Sequence, residues 1–145
     1  TSAGVFVSKW GTSGTGNGEF ENPRVAVASD GSVYVLSASN YRVQKFTSGG
    51  VFVSKWGTSG TDDGQFQQPK GIAVASDGSV YVSEFGTDRI QKFTSAGVFV
   101  IKWGTEGTDD GQFKNPEGIA VAPDGSVYVS ETGDNDRMQK FSVGP

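Results

Sequence analysis

The hydrophobic positions of this chain fall in short runs in which apolar and polar side chains alternate, separated by turns rich in glycine and aspartate. In the middle of the chain the pair Asp77-Gly78 separates two such runs, which is typical of a tight β-hairpin. Because no window has apolar positions at the 3.6-residue spacing of a helix, we predict an antiparallel meander with essentially no helix. The four predicted strands of this meander are residues 71–75, 80–84, 89–94 and 98–103.

The same pattern occurs three times along the 145 residues. Residues 4–15 and 50–61 both have the sequence GVFVSKWGTSGT, and residues 97–108 have GVFVIKWGTEGT. Large aromatic residues recur every 46 to 48 positions: Trp10, Trp56, Trp103; Phe20, Phe66, Phe113; Tyr34, Tyr81, Tyr128; Phe46, Phe93, Phe141. The two identical dodecamers indicate a recent duplication, or a chain built deliberately from one repeated template.

A four-stranded unit that recurs about every 40 to 50 residues predicts an all-β fold of β-propeller blades. A β-sandwich also has strands at short intervals, but it has no reason to repeat Trp, Pro, Asp-Gly and Tyr in register. We therefore predict one repeat domain over residues 1–145, with three four-stranded antiparallel blades whose approximate limits are 5–47, 51–94 and 98–142.

The alternation within each strand predicts which side chains meet. Val80 and Val82 are expected to face one neighbouring blade, and Tyr81 the other, because each blade lies between two others. Phe99 and Trp103 of the fourth strand are expected to share one face, together with Ile101.

Three blades are too few to close a ring. Residues 5–10 match the fourth strand of a blade but precede the first one, and residues 137–142 match a third strand with no strand after it. Open apolar faces and unpaired strand edges favour aggregation. We therefore expect two chains to form a homodimeric six-bladed propeller, in which each strand 5–10 completes the last blade of the partner. Three consecutive blades of a larger propeller would have the same sequence pattern.

The residues of one repeat resemble the NHL repeat over its full length. In the second copy the matching elements are Gly64, Phe66, Pro69, GIAVA at 71–75, DGSVYVSE at 77–84 and DRIQKF at 88–93. The third copy has the same pattern from Gly111 to Phe141, with one residue inserted within 132–136. The resemblance implies a six-bladed propeller that normally acts as a protein-interaction module and sometimes reads RNA. Related six-bladed enzymes are metal-dependent lyases or hydrolases.

The first copy departs from this pattern. Its segment 23–27, PRVAV, is one residue shorter than 69–74, PKGIAV, and lacks the glycine. Its second strand ends in Leu36-Ser37, where the other copies have Ser-Glu. This departure argues against one identical site on every blade.

Charge and composition narrow the possible functions. The net charge is −4, the pI is about 4.7, and the 12 Lys and Arg residues never cluster. Nucleic-acid binding normally needs a basic surface, so we expect no nucleic-acid partner. The chain has neither His nor Cys, the commonest general base and a common nucleophile and metal ligand. We expect a protein that is not an enzyme, needs no cofactor and has no membrane-spanning segment.

Two sets of charged residues are candidates for binding. The pairs Asp62-Asp63 and Asp109-Asp110 precede glycines and could hold Ca²⁺, which prefers oxygen ligands, or form solvated turns. Two further pairs could pin the hairpin between the second and third strands or contact a ligand at the channel mouth: Glu84 with Arg89, and Glu131 with Arg137. The three Trp residues could stack on sugars or cover the outer blade edge.

Together these features favour a non-catalytic scaffold or protein-interaction module, with a Ca²⁺-type or other ligand-binding propeller as the alternative. Any small polar, cationic or protein ligand is expected on the face that carries the long loops. These loops are residues 57–64, 104–111, 85–88 and 132–136.

Overall fold

The computed structural model of the chain describes residues 3–144, which form β-strands and one turn of 3-10 helix, Ala38–Asn40. Within this range no helix is long and apolar enough to cross a membrane. The strands in chain order are β1 Thr12–Ser13, β2 Glu19–Phe20, β3 Pro23–Val27, β4 Val33–Ser37, β5 Arg42–Phe46, β6 Phe52–Trp56, β7 Pro69–Val74, β8 Val80–Glu84, β9 Arg89–Phe93, β10 Phe99–Trp103, β11 Pro116–Val121, β12 Val127–Glu131 and β13 Met138–Phe141.

Eleven of these strands form three antiparallel sheets, named blades 1, 2 and 3 in chain order. Blade 1 is β3-β4-β5-β6, blade 2 is β7-β8-β9-β10 and blade 3 is β11-β12-β13. The all-β prediction of antiparallel meanders is confirmed. The predicted strand limits differ from the observed ones by at most two residues, chiefly because β7 already begins at Pro69. The first strands of neighbouring blades lie against each other, so they form the inner side of the blade stack.

The blades stack through apolar faces that alternate along each strand. Val80 and Val82 of blade 2 are fully buried against Tyr34 and Leu36 of blade 1. Tyr81, on the opposite face of the same strand, is buried against blade 3. The predicted division of these three side chains is therefore confirmed, and each junction between blades is a separate hydrophobic core.

The outer strand contradicts one expectation. Phe99 packs with Phe93 in the core between blades 1 and 2, whereas Trp103 packs with Tyr81 in the core between blades 2 and 3. The two side chains thus lie on opposite faces of blade 2. The reason is a β-bulge: the pairing of β10 with β9 shifts by one residue between Phe99 and Ile101, and a one-residue shift reverses the side-chain alternation.

Each Trp packs at the outer edge of the next blade. The Trp10, Trp56 and Trp103 rings contact Phe46, Phe93 and Phe141 at centroid separations of 6.2, 5.6 and 5.6 Å. Gly97 makes this approach possible, because a Cβ at this turn residue (φ +87°) would collide with the Trp56 ring. This packing favours the edge-covering role of the Trp residues over sugar stacking.

The shorter first copy corresponds to a more regular innermost strand in blade 1. The ladders that β7 and β11 form with their second strands each contain a one-residue irregularity, and β3 pairs with β4 without one. Gly71 lies within the irregular part of β7, where a Cβ would collide with the carbonyl oxygen of Glu117 in blade 3. Blade 1 lacks both this extra residue and the glycine, and places the buried Leu36 where blade 2 has Ser83. The position that lacks the glycine therefore lies next to the position where leucine replaces serine.

Candidate functional site

A buried carboxylate organises the long-loop side of blade 2. Glu84 ends β8 and is fully buried. Its Oε2 accepts hydrogen bonds from Arg89 Nε at 2.6 Å and Gln91 Nε2 at 2.8 Å, and its Oε1 accepts one from the Gln67 main-chain N–H at 2.9 Å. The carboxylate therefore joins two strands of its own blade to the loop that precedes the blade.

The same arrangement recurs in blade 3 around Glu131. This carboxylate accepts hydrogen bonds from Arg137 Nε, Gln139 Nε2, Asn135 Nδ2 and the Lys114 main-chain N–H at 2.7 to 2.9 Å. Burial acts to raise the pKa of Glu131, but these hydrogen bonds outweigh it and hold the pKa below its ordinary value. The carboxylate is thus stabilised in its charged form.

The arginines reach further than a hairpin ion pair requires. Arg89 donates to the main-chain carbonyls of Thr61, Asp62 and Gln65 at 2.8 to 3.2 Å, and Arg137 makes the same three contacts one repeat later. Glu84 and Arg89 are both buried and belong to the loop support rather than to an exposed charged ring. These loop contacts span 24 to 29 residues, so strand pairing alone could not reveal them.

The acidic loop residues remain at the surface. Asp62, Asp63, Asp109 and Asp110 are all exposed, and Asp63 pairs with Lys102 Nζ at 2.6 Å. Within residues 3–144 no group of three or more Asp, Glu, His or Cys side chains is arranged to hold a metal ion. The geometry resembles a solvated turn, held by its main chain to Arg89 or Arg137.

Three charged side chains on the inner strands were missed by the sequence argument. Arg24, Lys70 and Glu117 line a pocket at the inner side of the three blades. Each residue directly follows the proline that begins the first strand of its copy, and this shared position was the available signal. The inner side therefore carries charges of both signs that differ from blade to blade.

Family comparison identifies the repeats. The model of the NHL repeat matches residues 66–93 and 113–141, which lie in the second and third copies. Two of the three copies are NHL repeats. A comparison with curated proteins gives no significant sequence match.

Solved structures with the same architecture are propellers. A streptogramin B lyase aligns with a TM-score of 0.56 and 16% identity over 82% of this chain and 39% of its own. A catalytically inactive virginiamycin B lyase from Staphylococcus aureus with quinupristin gives 0.55 and 18% over 82% and 40%. A protein of unknown function from Bacteroides thetaiotaomicron gives 0.68 and 20% over 81% and 34%. At these identities the likeness shows the fold alone, and the NHL-repeat chain spans two fifths or less of each structure's length.

The first and last blades each leave one apolar face open. On blade 1, Val25 and Val27 are 65% and 61% exposed, next to Val33 and Val35. On blade 3, Met138 is 64% exposed beside the half-buried Tyr128. No neighbouring blade covers either of these faces within the described residues.

The N-terminal segment, residues 3–11, belongs to no strand in the structure. Val5, Phe6 and Val7 are largely exposed, and only Trp10 is anchored, through its contact with Phe46. In blade 3, the outer edge of β13 has no neighbouring strand in the part of the chain that the structure describes. Among the described residues, blade 3 thus lacks a fourth strand, and the N-terminal segment has the sequence of one.

Proposed function

We propose that this NHL-repeat chain is a non-catalytic scaffold that pairs with a second copy of itself to form a homodimeric six-bladed propeller. One observation carries the proposal. The open faces of blades 1 and 3 are equivalent to the two faces that meet at each junction between blades within the chain. The ring then presents its long-loop face to a protein or small polar partner. The absence of His and Cys from the sequence and the structural use of Glu84 and Arg89 support a role without catalysis.

The open face of blade 1 corresponds to a face that blade 2 buries. Val25 and Val27 occupy the register positions of Ile72 and Val74, which pack in the core between blades 1 and 2. Val33 and Val35 likewise correspond to Val80 and Val82, both fully buried at the same junction. In the single chain Val33 and Val35 are already buried, whereas Val25 and Val27 remain exposed. These four pairs of equivalent residues are Val25/Ile72, Val27/Val74, Val33/Val80 and Val35/Val82.

The open face of blade 3 is the complementary half. Tyr128 and Met138 correspond to Tyr81 and Ile90, which are buried against blade 3. A second copy placed with its blade 1 against this face would repeat the internal junction. Two such junctions close the ring, because each copy offers one face of each kind.

A charge pair supports exchange of the N-terminal strand. In blade 2 the loop residue Asp63 pairs with Lys102 of the outer strand, and in blade 1 Asn17 accepts a hydrogen bond from Lys55 of the outer strand at 2.9 Å. The corresponding loop residue of blade 3 is Asp110, and the remaining equivalent lysine of the repeat is Lys9 in the N-terminal segment. An N-terminal strand from a second copy would bring Lys9 to Asp110 as it paired with β13.

The mass in solution tests the proposal directly. We expect light scattering or sedimentation equilibrium to give about twice the chain mass of 15.2 kDa at micromolar concentration. Each Å² of apolar surface that the junctions bury stabilises the dimer by about 25 cal/mol. A folded chain that remains monomeric at 100 micromolar would contradict self-closure, and a nine-bladed ring of three chains would correct the number of copies.

Removing the spare strand tests strand exchange separately. We expect deletion of residues 1–8, which retains Trp10, to lower the melting temperature of the dimer by several degrees, at about 2–4 °C per kcal/mol for a chain of this size. The reason is that β13 loses its partner strand. Deletion of residues 1–4 is the matched control and should have little effect. Equal melting temperatures for the two deletions would show that residues 5–8 pair with nothing.

A further inference from the structure

Blade 1 lacks the carboxylate on which the loop support of the other blades is built. Ser37 ends β4 at the position of Glu84 in β8 and Glu131 in β12, and it pairs in register with Arg42 as Glu84 pairs with Arg89. The serine side chain ends at Oγ, so it places no carboxylate oxygen among the neighbouring donors. The difference removes one negative charge from a buried position.

The donors around that position are nevertheless retained. Arg42 donates to the main-chain carbonyls of Thr15, Gly16 and Glu19 at 2.6 to 3.1 Å, as Arg89 does one repeat later. Gln44 accepts a hydrogen bond from the Gly18 N–H and donates through Nε2 to the Glu19 carbonyl, both at 2.9 Å. Blade 1 therefore keeps the Arg and Gln side chains that surround the carboxylate in the other blades, but has Ser37 in place of the glutamate. Arg42, Gln44 and Ser37 are together called the frame.

Two polar atoms of this frame are buried without partners. Arg42 is 9% exposed and Ser37 fully buried, yet Arg42 Nε and Ser37 Oγ have no hydrogen-bond partner among the described residues. The acceptors of the Arg42 guanidinium are all neutral carbonyls, and residues 3–144 contain no ion pair to it. A buried charge without a counter-ion is strongly unfavourable.

The other blades show what the unpartnered atoms are arranged to bind. In blade 2 one carboxylate oxygen accepts hydrogen bonds from Arg89 Nε and Gln91 Nε2, and the other from the Gln67 N–H. The corresponding groups of blade 1 are Arg42 Nε, Gln44 Nε2 and the Glu21 main-chain N–H. Ser37 adds a hydroxyl that can donate a hydrogen bond.

We propose that blade 1 binds a small monovalent anion, of the size of chloride or formate, between Arg42, Gln44, Ser37 and the Glu21 N–H. A single negative charge balances the Arg42 guanidinium, and the anion replaces the carboxylate group that Glu84 and Glu131 carry as part of the chain. The equivalent donors of each sibling blade bind one carboxylate group, which favours an anion of that size and of single charge. The anion is therefore a structural ligand of blade 1 that supports the loop of residues 14–19.

Thermal unfolding at constant ionic strength tests this site. We expect replacement of 100 mM sodium gluconate by sodium chloride or sodium formate to raise the melting temperature of the wild-type chain by several degrees. Chloride, formate or both raising it would support the proposal and identify the preferred anion. A wild-type melting temperature that is the same in all three salts would overturn it.

Two substitutions separate this site from general salt effects. Ser37→Glu supplies the missing carboxylate, so it should raise the melting temperature in gluconate and abolish the difference between the salts. Glu84→Ser creates a second site of the same kind and should increase the dependence on chloride or formate. An undiminished anion effect in Ser37→Glu would overturn the proposal even if Glu84→Ser fails to fold. Broadening of the ³⁵Cl NMR signal by the wild-type chain, reduced in Ser37→Glu, gives an independent measurement of chloride binding.

Discussion

Replacing Val25 by aspartate should leave a folded chain that no longer pairs with a second copy. Val25 is 65% exposed in the single chain, so a carboxylate there disturbs little packing within the three blades. In the proposed ring the same position is buried against Tyr128 and Met138 of the second copy, and the dimer contains it twice. Two buried, uncompensated carboxylates at about 3 kcal/mol each would weaken the dimer by about four powers of ten.

Analytical ultracentrifugation across a range of concentrations would measure this change. Val53→Asp is the matched control, because Val53 is 50% exposed but lies on the outer strand β6 rather than on the open face. We expect the control variant to remain a dimer with unchanged affinity. If Val25→Asp paired as tightly as the wild type, the open face of blade 1 would not be the dimer interface.

Replacing Glu84 by alanine should produce the largest loss of stability of any single substitution on the long-loop side. The substitution leaves the Arg89 guanidinium, 7% exposed in its side chain, without its counter-ion. Gln91 and the Gln67 N–H lose an acceptor as well. Removing one partner of a buried ion pair costs about 3–5 kcal/mol, which a urea unfolding midpoint would resolve clearly.

A surface pair on the same blade gives the comparison for Glu84. Asp63 and Lys102 are separated by 2.6 Å, but their side chains are 50% and 47% exposed. Asp63→Ala should therefore change the free energy of unfolding by at most about 1 kcal/mol, because solvent screens an exposed pair. Equal effects of Glu84→Ala and Asp63→Ala would mean that the buried cluster does not support the loop.

Most of the blade architecture could be predicted because it depends on local patterns. Alternation in residues 80–84 predicted which side chains face each neighbour, and the Asp77-Gly78 turn predicted the hairpin. These features repeat three times, so each copy checks the others. The open faces could be predicted from the number of blades, because a stack of three blades leaves one face uncovered at each end.

The features that escaped prediction depend on irregular backbone or on long-range contacts. The bulge in β10 reverses Trp103 relative to Phe99, and no residue type in that strand marks its position. The Arg89 side chain donates to main-chain carbonyls of the loop, and main-chain acceptors carry no sequence signature. The acidic loops drew attention as candidate metal ligands because of their residue types, whereas the buried partners of Glu84 depend on the packing of two strands and a loop.

The stacking of identical junctions has a consequence for how such proteins change in evolution. Because the two junctions between blades are built from equivalent faces, complementarity is encoded once within each repeat and copied with it. Gain or loss of a repeat by duplication or deletion then needs no new surface. The number of chains in a closed ring is then the number of blades in the ring divided by the number of repeats in each chain. A duplication in the gene can thus change subunit stoichiometry while leaving every interface unaltered.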